Sequence, residues 1–264
     1  MIVTLTWHEY RRARRRSRQA WILLAGVALT TVTALAWFFT AGQFALSDPV
    51  PDGPSDAPVL ADWMKPVAPV RVVPAGRAAD LLEALPVKGR APGNNYDRSA
   101  FGQAWLDVDR NGCDTRNDIL RRDLADARFT EGSRCRIGSG SFREPYTGRR
   151  IEFQRGAESS KSVQIDHVVA LGDAWQKGAQ QLTAVQRQHL ANDPLNLVAV
   201  DGPANQDKSA SDAATWLPPN KAFRCHYVAR QISVKAAYNL WVSAAEKDAM
   251  RRVLGACPDQ QAIR

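Results

Sequence analysis

Between residues 162 and 220 the spacing of apolar positions switches between the strand and helix periods. "VQIDHVV" (163–169) sets Val163, Ile165, Val168 and Val169 around the polar pair Asp166 and His167, the short apolar run of a buried strand. "LNLVAVD" (195–201) predicts a second strand, and "GPANQDKSASD" a helix that opens directly after it. Between the two strands, "LGDAWQKGAQ" and "TAVQRQHLAND" carry helical spacing. Upstream, "DTRNDILRRDLADA" predicts a helix with Asp114 as N-cap and Ile119, Leu120 and Leu124 on one face. "SRCRIGSGSFREPYTGRRIEF" predicts strands interrupted by Gly and Pro turns. Downstream, stretches from about Ala222 to Leu240 and from about Ala244 to Leu254 predict an antiparallel helical hairpin. "AADLLEAL", before the "APGNN" turn, has helical spacing that fits equally a helix packed on the domain and one in a linker.

The first 75 residues follow different rules. Trp21 to Thr40 is a run of twenty residues without charge, the length that crosses a bilayer core as a helix. Six arginines (11, 12, 14, 15, 16 and 18) precede it, which orients residues 1–20 to the cytoplasm and the rest of the chain outside. A cleaved signal peptide is the rival, with Ala34 and Ala36 as small residues for a cut site. Either way the C-terminal part is exported: membrane-anchored with an extracellular domain, or secreted. Seven prolines between Asp48 and Pro74 exclude continuous helix or strand, so 41–75 is a linker. The domain proper is 76–258, its core 162–220, with a tail at 259–264.

This division changes the meaning of the charge. The net +8 invites a nucleic-acid reading, but six of 35 basic residues and one of 27 acids lie in the first 42 positions. The remainder, 29 basic against 26 acidic residues, is only +3. Export also recasts Cys113, Cys135, Cys225 and Cys257, which lack CxxC spacing and come as an even number, as two disulfides. Three pairings are open to four cysteines. The hairpin geometry favours Cys225 with Cys257, near the start of one helix and just past the end of the other, and leaves Cys113 with Cys135.

Asp166 and His167 end one strand, Asn196 begins the next, and Asn205 and Lys208 lie one turn apart on the following helix, where residues three apart share a face. "DHVVAL" and "NDPLNLVAVDGPANQDKSASDAATWLPPN" resemble the HNH (His-Me finger, ββα-metal) endonucleases. The likeness is to the branch found as the C-terminal domain of GmrSD-type restriction endonucleases and in exported actinobacterial proteins. The departures are Ala170 where many members have proline, Asn205 where many have histidine, and a long interval between His167 and Asn196. The resemblance implies an α+β fold: a ββα-metal core elaborated with helices and the C-terminal hairpin, preceded by the N-terminal membrane helix.

Hydrolysis of a phosphodiester gives each motif residue a task. His167, neutral near pH 7, takes a proton from water. Asp166 and Asn205 supply oxygen ligands to one divalent cation, Mg²⁺ or Mn²⁺. Asn196 orients the loop or the imidazole, and Lys208 stands as a point charge beside the phosphate. Arg149, Arg150 and Lys161, in a strip with seven basic residues and three acids between 134 and 161, read equally as backbone contacts for DNA or, less favoured, RNA, and as an ordinary charged surface. His189 and His226 read as ordinary helix-surface histidines. "DVDRNGCDTRND" (107–118) has the spacing of a calcium loop, but Asp118 is shorter than the usual glutamate and Cys113 is bridged, so Ca²⁺ is disfavoured. Two rivals to an endonuclease remain: a tethered binding module with a weakened HNH site, and a hydrolase of a phosphodiester other than nucleic acid.

Overall fold

The helix opening at Asp114 forms as expected but stops early. Asp114 caps it by accepting from the Asn117 amide, and helix Thr115–Asp123 ends at Leu124, whose backbone is extended. The last residues assigned to that helix instead start a strand, Ala125–Phe129, whose side chains are mostly exposed. An edge strand buries too little to leave an alternating apolar pattern, which is why the period gave no sign of it.

In a computed structural model, residues 72–156 and 159–264 are described, all within one compact unit, Ala61–Arg264. The expected basic segment 1–20, membrane span 21–40 and most of linker 41–75 lie outside the described residues. Among the described residues no helix is long and apolar enough to cross a membrane. The elements run α1 (Ala78–Ala84), α2 (Thr115–Asp123), β1 (Ala125–Phe129), β2 (Ile137–Arg143), β3 (Arg150–Gln154), α3 (Ser159–Ser162), β4 (Val163–His167), α4 (Leu171–Gln176), α5 (Ala184–Asn192), β5 (Leu197–Asp201), α6 (Gly202–Lys208), α7 (Arg224–Ala237) and α8 (Ala244–Leu254). It is a mixed α+β fold with two small antiparallel sheets, one ordered β1-β2-β3 and one a β4-β5 ribbon.

The ribbon organises the core because its two faces meet different partners. Ile165 lies opposite Ala199 and His167 opposite Leu197, whereas Gln164 lies opposite Val200 and Asp166 opposite Val198. Directly opposed residues share a face and neighbours along the strand alternate. Val163, Ile165, Leu197 and Ala199 therefore pack with Ile119, Leu120 and Phe153 of α2 and the three-stranded sheet. Val198 and Val200 pack on the other side, with Tyr146, Ala204, Tyr227 and Ile232. Helix α1 joins that second cluster through Ala78 and Leu82, so "AADLLEAL" is part of the domain. The segment before α1 is tied to the C-terminal segment as well: Ala78 N–H donates to the Gln260 carbonyl and Ala262 N–H to that of Gly76, at 2.8 and 2.9 Å. Val73, from the proline-rich stretch, is itself buried.

The hairpin of α7 and α8 forms, and disulfides join Cys225 to Cys257 and Cys113 to Cys135. α8 begins with a capping box between Ser243 and Glu246, worth about 1 kcal/mol. Glu246 has a second role. Its carboxylate, with those of Asp173 and Asp212, surrounds the fully buried ammonium of Lys177 at 2.6–2.7 Å. Lys235 adds a second buried ammonium, 3.0 Å from Glu246 and 3.3 Å from Asp173, and Arg90 reaches Asp212 at 2.6 Å. Three cations thus meet three carboxylates from α4, α7, α8 and the segment after α6, where an unmatched charge would carry a large desolvation cost. Lys177→Met leaves the carboxylates undercompensated. It is expected to lower stability by about 3–5 kcal/mol, read as a fall in the urea midpoint at unchanged slope.

Candidate functional site

His167 is the last residue of β4, and its ring is fixed by the end of a helix. The final carbonyls of an α-helix have no partner within it; in α5 the Ala191 carbonyl lies 2.8 Å from His167 Nε2. A carbonyl only accepts, so the proton resides on Nε2 and Nδ1 keeps its lone pair. Burial pushes the imidazole pKa down to about 4, with the Ala191 bond opposing and Arg98 and Lys208 adding to the depression. His167 is therefore a neutral base at any pH from weakly acidic upward. The ring of Trp105 lies nearly parallel to it, 6.4 Å between centroids.

Asn196 binds the turn that follows. Fully buried, its Oδ1 accepts from Val169 N–H at 2.8 Å, and its Nδ2 donates to the carbonyls of Val169 and Leu190, each at 3.3 Å. Leu190 offers another unpaired terminal carbonyl of α5. One amide side chain so joins the end of β4, the start of β5 and the C-terminus of α5.

Asp166 points to the opposite face from His167. Its carboxylate accepts from Tyr146 Oη and from Lys208 Nζ, the latter 3.0 and 3.1 Å from its two oxygens. Burial raises its pKa, opposed by the Lys208 charge and the Tyr146 hydrogen bond. Tyr146 is held in turn by the turn between β2 and β3, where Glu144 accepts from the amides of Tyr146 and Thr147 at 2.6 Å. Asn205 and Lys208 do share a helix face: Asn205 Nδ2 donates to Gln164 Oε1 at 2.8 Å, two residues before the Lys208 contact on the same face of β4.

The position of Lys208 corrects one expectation. Its ammonium is completely buried, bound to Asp166 and at 2.9 Å to the His167 carbonyl, and it does not border the open cleft, so it neutralises the carboxylate instead of standing beside a phosphate. The basic strip is a second correction. Arg149 pairs with Asp201 at 2.9 Å and Arg150 with Glu152 at 2.8 Å; Lys161 is exposed on α3. None of the three lines the cleft; Arg149 and Arg150 stand at the start of β3, which belongs to the other sheet. His189 and His226 also stand outside it.

The cleft, about 300 Å³, is lined by Asp166, His167 and Asn205 together with Tyr96, Arg98 and Gly172. Arg98 is exposed and forms no salt bridge among the described residues, so it is the cation that a bound anion would meet. Tyr96, Arg98, Trp105 and Tyr146 were not singled out from the sequence. They reach the site only through tertiary folding, and "YDRSAFGQAW" (96–105) carries no motif spacing.

A metal ion fits the donor set. Asp166 and Asn205 offer a carboxylate and an amide oxygen, the hard donors that Mg²⁺ takes alongside several waters. An ionised carboxylate has about four lone-pair sites, which Tyr146 and Lys208 do not exhaust. Among the described residues no group of three or more His, Cys, Asp or Glu side chains converges, so a cation here would be held largely by water and substrate. In the 107–118 loop, the Asp107 and Asp109 carboxylates accept from the Asn111 and Gly112 amides.

The family of GmrSD restriction endonuclease C-terminal domains matches residues 114–253, which hold Asp166, His167, Asn196, Asn205 and Lys208. A secreted protein of uncharacterized function from Arthroderma benhamiae is 36% identical over 201 residues, 75% of this chain and 94% of the relative. No solved structure matches the chain.

Lys208→Met would leave Asp166 buried with Tyr146 as its remaining side-chain donor. A loss of about 3–5 kcal/mol is expected, and Asp166→Leu/Lys208→Met should regain much of it because neither charge is then left unpaired. Chemical denaturation of the two variants checks this; equal losses would show that the ion pair does not hold α6 to β4.

Proposed function

This chain belongs to the family of GmrSD restriction endonuclease C-terminal domains, and we propose that it is an exported HNH-type endonuclease that hydrolyses phosphodiester bonds of DNA, with RNA as the secondary substrate. The observation that carries the reading is the His167 imidazole: neutral, with its tautomer set by Ala191, and bordering one cleft with Asp166, Asn205 and Arg98. Export is supported by the two disulfides and the secreted relative. The membrane helix at 21–40, cleaved or retained, rests on the sequence pattern alone.

In this reading His167 Nδ1 takes a proton from water as the water oxygen bonds to phosphorus and the P–O3′ bond breaks. A solvent proton completes the 3′-hydroxyl, and the phosphate stays on the 5′ side. Arg98 binds a phosphate oxygen. Asp166 and Asn205 would hold one Mg²⁺ or Mn²⁺, which when bound offsets charge on the phosphate and the leaving oxygen. Lys208 and Tyr146 position Asp166 without touching substrate, and Asn196 keeps the His167 turn in place.

The test uses the full-length protein in detergent with its disulfides formed. Plasmid DNA and RNA are expected to be cut with Mg²⁺ and spared with EDTA, and His167→Ala should lower the rate by at least about 10²-fold, the scale of general-base catalysis. Cleavage independent of metal, or equal cleavage by the variant, would sink the mechanism.

The pH profile is a separate expectation. Only the neutral imidazole accepts a proton, so kcat/KM should rise with pH through about 4, not through the ordinary imidazole value of about 6.5. Between those values only the unfolded chain takes up the proton, so stability should fall as pH drops from about 6.5 to about 4. An acid limb centred near 6.5 would rule out a buried His167 as the base.

A further inference from the structure

We infer that the cavity beside His167, walled by Phe101 and Trp105, is a nucleobase pocket, and that the substrate is therefore nucleic acid with an unstacked base at the cut: a single strand or an unpaired stretch. The inference rests on the endonuclease reading above and narrows its substrate.

The cavity, about 260 Å³, is lined by Arg98, Phe101, Gln103, Trp105, His167 and Leu171 among others. Arg98, His167 and Leu171 also line the catalytic cleft. A molecule with its phosphate at Arg98 thus has an apolar, aromatic-walled space one step away on the other side of His167. The phosphate and base of one nucleotide have that relation. A phosphodiester polymer without bases has nothing flat and apolar to fill it.

Trp105 is held in place for such a role. Its φ of +58° is a left-handed conformation that bulky residues seldom adopt and that clusters at functional positions. The fully buried Asn192 secures the backbone around it, accepting from Leu106 N–H at 2.9 Å and donating to the Gln103 carbonyl at 3.1 Å. Thr115 N–H reaches the Trp105 carbonyl itself at 3.4 Å. The indole is only partly buried, and the Arg116 guanidinium lies 5.9 Å from its ring centre. An aromatic face braced this way beside a phosphate site is what an unpaired base stacks on, whatever its identity. A base inside a duplex presents only its edges.

The test pairs a change in the protein with a change in the substrate. Full-length protein with Mg²⁺ is given a short DNA single strand with one phosphodiester between methylphosphonate linkages, the flanking residue being either a normal nucleotide or an abasic one. Wild type should cut the single strand about tenfold faster, as kcat/KM, than a duplex of the same sequence. Loss of the base should cost wild type about tenfold and Trp105→Ala nothing further, while Trp105→Phe restores the response. A general disturbance of His167 would lower both substrates alike and leave the response to base removal intact, which overturns the inference. In a second arm, fluorescence anisotropy in EDTA compares binding of a labelled eight-nucleotide strand. Weaker binding by Trp105→Ala supports the pocket, and equal binding overturns it. Should no substrate be cut by wild type, the endonuclease reading fails and the binding arm still decides the pocket.

Discussion

The Lys208 ammonium, fully buried between the Asp166 carboxylate and the His167 carbonyl, is the contact on which the site depends. A buried ammonium is tolerated only when matched, so the last turn of α6 has one acceptable position against the end of β4. Once Lys208 is seated, Asn205 one turn earlier falls opposite Gln164, and helix and strand are joined at two rungs. The same contact neutralises Asp166, leaving a carboxylate whose remaining lone pairs suit a weakly held, water-rich cation.

His167 is positioned by a different device. The carbonyls that helix α5 cannot satisfy internally are used by the His167 ring and by Asn196. A helix end that would otherwise need water thereby sets the imidazole tautomer and the turn after it. The interval between His167 and Asn196 is long because it contains the helix that performs this task. Its other helix, α4, carries Asp173 and leads to Lys177, the centre of the second buried charge network. The inserted segment is in this way fastened to both strand β4 and the C-terminal hairpin.

Much of the ribbon and hairpin was legible because it depends on local rules. The strands around Asp166 and Asn196, the helix holding Asn205 and Lys208, the Asp114 cap and the Cys225–Cys257 pairing all follow from periodicity and chain order. β1 was illegible, being an exposed edge strand with no apolar alternation. The direction of Lys208 was illegible for another reason. Its place on the helix face is a matter of spacing, but whether that face meets solvent or a buried carboxylate depends on which strand packs against it, here β4 with Asp166 and the His167 carbonyl.

By itself, the sequence determined which residue types stand at the strand ends and helix turn of the core, and that four cysteines close two loops. Only the tertiary structure decided that Arg98 borders the cleft and Trp105 the cavity beside it, that Arg149 and Arg150 border neither, and that the His167 proton sits on Nε2. These are relations between segments distant in sequence. They are set by burial, by unpaired backbone carbonyls and by the need to match every buried charge, constraints that take effect only once the chain has folded.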